Sequence, residues 1–143
     1  MSSVRERILQ SLATKLVSVP DATVYRSRQT AVARSEGNAI LLEPENEQVE
    51  KRTTMPNGLV VRDFMFDVVV LARGDPADQV ADQIIVTAHA LIMADPTVGN
   101  LCAQIIEHST EWKFDQADLT AAEVLVRYMT RYLTKTSDLT VTQ

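Results

Sequence analysis

The sequence predicts an α+β fold, a mostly antiparallel β-sheet with two main helices packed on a face, in the order α-β-β-β-α-β-β. Three observations lead there. Leu59–Arg73 sorts by a period of two into an apolar face and a face carrying Asp63 and Asp67, two apolar stripes recur at helical spacing near residues 4–17 and 76–94, and the last third holds two β-rich runs joined by a short polar turn. At 143 residues, with 45% hydrophobic and 23% charged side chains, the chain fits one domain with a real core. We expect residues 1–134 to form that domain and residues 135–143 to be a polar, flexible tail.

Each element has its own signal. Ser3 and Glu6 stand at capping-box spacing, and Val4, Ile8, Leu12 and Leu16 then mark an amphipathic helix to Val17, closed by Val19-Pro20-Asp21. Thr23–Arg28 reads as a short strand, residues 29–38 as a loop, and Ala39–Glu43 as a second strand. From Glu43 to Arg52 the chain turns hydrophilic, a long β-arm or loop ahead of a turn at Pro56-Asn57-Gly58. In Leu59–Arg73, Val60, Phe64, Phe66, Val68 and Val70 share one face, and Asp63, Met65, Asp67 and Val69 share the other. A straight strand of that length would span roughly 50 Å, so a bend, a bulge or a projecting end is expected. Asp75 and Pro76 are placed as N-cap and first residue of the second helix, whose stripe runs Val80, Ile84, Ala88, Leu91 before Asp95-Pro96 ends it. A short helical turn is expected around Val98–Ala103, then strands at Ile105–Asp115 and Ala121–Thr134, a hairpin through Gln116-Ala117-Asp118.

Charge and cysteine content narrow the function classes. Fourteen Lys and Arg against nineteen Asp and Glu give a formal charge of -5, which disfavours tight nucleic-acid binding. The single Cys102 has no partner for an internal disulfide, no signal peptide or membrane span is visible, and an intracellular origin is expected. His89, Cys102 and His108 lack the close spacing of a zinc signature, and neither a phosphate-cradling glycine loop nor a GxSxG elbow is present. We expect no enzyme activity, no cofactor and no metal.

Four patterns are candidates for chemistry. Glu43, Glu45, Glu47 and Glu50 could gather a hard cation, but without a glycine-turned calcium loop they read as an acidic arm. Asp63 and Asp67, four strand residues apart, stand about 13 Å from one another, too far for a glycosidase pair, and read as a solvated or interface face. Arg26, Arg28, Arg34, Lys51 and Arg52, interleaved with glutamates, suit contacts between subunits better than a nucleic-acid platform. Asp95-Pro96 with Glu111-Trp112-Lys113 resembles the Asp and Glu-x-Lys elements of restriction-endonuclease-like nucleases, which would hold Mg²⁺; the competing reading makes Asp95 a helix terminator and Trp112 an interface or core anchor.

The opening helix, Val24-Tyr25-Arg26-Ser27-Arg28, the strand end Val68–Asp75, the helix segment Ala81–Asp95 and the closing Tyr128-Met129-Thr130-Arg131-Tyr132 with Asp138-Leu139-Thr140 together carry a resemblance. Over most of the chain it resembles the tail terminator, or tail-completion, family of long-tailed bacteriophages, which includes the phage lambda minor tail protein U. The resemblance implies an α+β subunit of a hexameric ring that caps the finished tail tube, stops tube polymerisation and offers the surface for head-tail joining. It implies no cofactor, a location in the virion tail after assembly in the host cytoplasm, and as partners other copies of the chain, the tail tube protein and head-tail connector proteins. DNA would pass only as cargo, and an acidic lumen would let it slide. Glu43, Glu45, Glu47, Glu50, Lys51 and Arg52 on the arm, with Arg62, Asp63 and Asp67 on the exposed face of the long strand, are the expected subunit or tube contacts. The alternatives are another head-tail connector or neck protein, or the Mg²⁺-dependent nuclease.

Overall fold

In a computed structural model that describes residues 1–27, 36–52, 58–114 and 121–141, the chain forms two helices and five strands in the predicted order. Helix α1 (Val4–Leu16) starts where Ser3 Oγ accepts the Glu6 N–H at 3.2 Å, and it buries Val4, Ile8, Leu9, Leu12 and Leu16, the stripe its spacing predicts. Strand β1 (Thr23–Arg26) lies parallel to the start of β2 (Ala39–Arg52), while β3 (Leu59–Arg73), β4 (Ile106–Phe114) and β5 (Ala121–Lys135) pair antiparallel. The sheet order is β1-β2-β3-β5-β4. Helix α2 (Ala77–Met93) packs on β3 and β5, α1 packs beside it over β1 and β2, and both press on the same sheet face.

Alternation decides which face that is. The even-numbered residues of β3 and β5, among them Phe64, Phe66, Val124, Val126, Tyr128 and Tyr132, point into the helix layer and are buried. Phe66 stacks on Tyr128 at 5.5 Å, and Tyr132 meets Phe64 edge-on at 6.4 Å.

Several boundaries differ from those expected. Pro76, not Asp75, is the N-cap of α2, and Ala77 is its first helical residue. Gly74 before it has φ +150°, and a Cβ there would lie 2.8 Å from Val80 Cγ2, so the entry to α2 needs glycine. The arm at Glu43–Arg52 is not a loop but the second half of β2, paired with β3 along its length except at Glu45 and Glu50. The long β3 stays in register with β5, and the irregularity falls on β2 instead, at Pro44/Asn46 and Val49/Lys51. Residues 98–103 make tight turns, with Val98, Gly99 and Asn100 at positive φ, and no helical turn. The stretch 138–140 is tied down: the Val4 N–H bonds Leu139 O at 2.9 Å, Arg7 donates to Thr140 O, and the Thr140 N–H bonds Asp138. The expected strand residue Arg28, the turn residues Pro56 and Asn57, and Gln116-Ala117-Asp118 lie outside the described residues.

Phe66→Ala should remove the stacked ring at the centre of this core and destabilise the protein by about 3–5 kcal/mol in urea unfolding. A loss below about 1 kcal/mol would mean that the helix layer does not rest on that ring.

Candidate functional site

The sheet face opposite the helices has no covering element among the described residues. On it, apolar and charged rungs alternate: Val69 opposite Leu125, Asp67 opposite Arg127, Met65 opposite Met129, Asp63 opposite Arg131, Val61 opposite Leu133. Arg127 grips Asp67 with two hydrogen bonds at 2.8 and 3.1 Å, and Arg131 grips Asp63 at 2.7 and 3.0 Å. Such bidentate forks fix both side chains flat along the strands. They also explain how Asp67 is only 6% exposed on an uncovered face. Arg127 further meets Glu45 at 3.7 Å, and Glu43 faces Asp67 from β2. The hydrogen bonds from Arg131 hold the Asp63 carboxyl below its ordinary range.

The predicted contact residues therefore divide between two faces. Asp63, Asp67, Glu43, Glu45 and Lys51 belong to the bare face or its rim, and Glu50 sits at the second β2 irregularity near Arg131. Arg62 does not belong there. As an even-numbered β3 residue it points to the helix side, where its Nη1 lies 3.3 Å from Glu47 and its Nε 3.0 Å from Thr134 Oγ1. Glu47 joins it, also accepting from Arg5 at 2.6 Å and from the Tyr132 hydroxyl. Burial and then donation to Glu47 push the Tyr132 hydroxyl pKa up. This group is structural: it ties α1 to β2, β3 and β5. The Arg52 backbone closes β2 opposite Val60.

The counter-charges Arg127 and Arg131 were not singled out in the sequence, although a signal was there. They are spaced by four, as Asp63 and Asp67 are, so antiparallel pairing sets both pairs opposite each other at one register. A cavity of about 480 Å³ lies between β2, β5 and the turn at 100–103, lined by Lys51, Val61, Leu101, Tyr132 and Leu133.

The remaining candidates go separate ways. Asp95 accepts the Gly99 N–H at 2.9 Å and faces Lys15 at 3.5 Å, while Lys113 reaches toward Glu123. Trp112 stands on the edge strand, 58% exposed. His89 stacks on Tyr128, its Nδ1 at 2.9 Å from the hydroxyl, and Cys102 is buried against Thr97 O. Among the described residues no three His, Cys, Asp or Glu side chains gather as metal ligands, and no helix is long and apolar enough to cross a membrane.

No family model and no curated protein matches the sequence. Among solved structures, a chain of the virion of a native gene transfer agent (GTA) particle is similar over 90% of both chains, at 12% identity and a TM-score of 0.40.

Asp67→Asn should break a half-buried bridge and cost about 1.5–3 kcal/mol, since Arg127 keeps some water and a second carboxylate in Glu45. Asp63→Asn should cost less, since Arg131 is more exposed. The depressed native pKa of Asp63 makes its contribution complete above about pH 4 and lost as pH falls through the native value. Asp63→Asn should thus flatten the acid limb of a stability-against-pH curve, and an unchanged limb would contradict the bridge.

Proposed function

We propose that this chain is a structural subunit of a phage or prophage tail, which closes into a ring, caps the completed tail tube, stops its polymerisation and forms the surface for head-tail joining. The bare sheet face carries the reading. It is broad, its carboxylates and arginines are held rigid before any partner arrives, and Met65, Met129, Val61 and Leu133 are left partly exposed between and beside them. Pre-organised surfaces of this kind lose little side-chain entropy on docking, which suits assembly. The resemblance of the helix, strand and closing segments to tail terminators supplies the rest, with other copies, the tube protein and connector proteins as partners. The charge of -5 suits a channel that DNA must traverse without sticking.

The test is solution mass by light scattering on a sizing column, with negative-stain imaging of the chain alone and with tail tubes. A ring with a central hole, or a ring at the tube tip with growth arrested there, is the expected result. Tubes that elongate past their normal length in the presence of the protein, with no density at the tip, would overturn the reading. Exchanging one rung, Asp63→Arg with Arg131→Asp, keeps the internal bridge while reversing its polarity. It should leave the fold intact and weaken ring or tip assembly. Unchanged assembly would remove that face from the contact.

A further inference from the structure

The two edges of the sheet are protected very differently. β1 covers only Ala39–Leu42 of β2, and the rest of that edge carries Pro44, which has no N–H, two bulges, four glutamates, and Arg5 fastened across Glu47. Those are the devices by which edge strands avoid pairing with other chains. β4 at the other edge has no proline, and its one irregularity lies near its start, between Glu107 and Ser109. From Thr110 to Phe114 it is regular, with Trp112 58% and Phe114 60% exposed.

The backbone direction of that stretch follows from β5. Arg131 O accepts the Ala103 N–H at 2.7 Å on the β4 side, so odd-numbered β5 residues turn their peptide groups toward β4. Ser109, Glu111 and Lys113, opposite Arg127, Leu125 and Glu123, return those bonds. Thr110, Trp112 and Phe114 therefore direct their N–H and C=O groups away from the sheet, among the described residues without a strand to meet them.

We propose that β4 pairs antiparallel with β4 of a second copy, in a register centred on Trp112. Trp112 then opposes the partner's Trp112, and Thr110 opposes the partner's Phe114, in hydrogen-bonded pairs. On the helix side of the sheet this gathers four exposed aromatic rings into one row that covers itself. On the bare side Glu111 opposes the partner's Lys113, and Lys113 the partner's Glu111, so the register sets two opposite-charge pairs in the positions where side chains come closest. A register centred on Glu111 would set Glu111 against the partner's Glu111, like charges face to face. The self-complementary sequence Glu111-Trp112-Lys113, on an unguarded edge, names a second copy of this chain as the occupant. The pairing extends the sheet sideways and leaves the bare face open, so it goes beyond the tail reading and stands or falls apart from it.

The register is tested with two single variants, Glu111→Cys and Lys113→Cys, oxidised separately and then mixed. Opposed residues at a non-hydrogen-bonded position have Cα atoms about 4.5 Å apart, inside disulfide range, whereas each cysteine lies about 8 Å from its own copy. Linked dimer should appear in the mixture and not in either sample alone, with the native Cys102 common to all three as background. Glu111→Lys should weaken dimerisation at least about tenfold by light scattering, and adding Lys113→Glu should restore it. A monomer at every concentration, or linkage no greater in the mixture than in the separate samples, would overturn the pairing. A ring forming with the mixed cysteines unlinked would overturn it as well while leaving the tail reading in place.

Discussion

Everything else in the structure depends on the pairing of β3 with β5. Fifteen residues of each strand run antiparallel in unbroken register, from Leu59 opposite Lys135 to Arg73 opposite Ala121. That one register sends Phe64, Phe66, Tyr128 and Tyr132 to the helices and Asp63, Asp67, Arg127 and Arg131 to the other side. A slip of one residue would exchange the faces, exposing the aromatic core and burying four charges. The two bidentate bridges add to that resistance, because each aspartate meets its own arginine in this alignment alone.

The helix layer is narrower than the sheet. α1 and α2 cover β1, β2, β3 and β5, and β4, which His89 of α2 meets only near its start at Glu107, is exposed on both faces. Glu47 stitches the helix layer to the sheet, receiving Arg5 from α1, Arg62 from β3 and Tyr132 from β5, which rigidifies the distal half of β2, outside which no strand lies among the described residues. The molecule thus has a guarded edge, an unguarded edge and a bare face of clamped charges. The bare face and the β4 edge are separate surfaces, so a contact made at one would leave the other open.

The position of α1 was legible because its cap and stripe are local, Ser3 and Glu6 meeting within one turn and Ile8, Leu12 and Leu16 falling on one side by helical geometry alone. The alternation in β3 was equally local, since a period of two needs no partner to be seen. Arg62 was misplaced for want of that same rule: its even number set it with Phe64, on the helix side. The start of α2 was missed by one residue, because whether Asp75 or Pro76 caps it depends on how the chain leaves β3 through Gly74 and not on capping preference.

The sequence by itself determined the order of the elements, the fold class and the side of β3 that is buried, all of which follow from propensity and periodicity along the chain. Tertiary structure alone decided that β5 inserts between β3 and β4, that the acidic arm is the far half of β2, and that Leu139 and Thr140 bind the start of α1. It also decided that the aspartates of β3 are clamped by the arginines of β5, and that the outer edge of β4 meets no strand among the described residues. Each of these is a relation between residues distant in sequence, set by which strand edges and charges meet once the chain has closed on itself, and no local pattern encodes that choice.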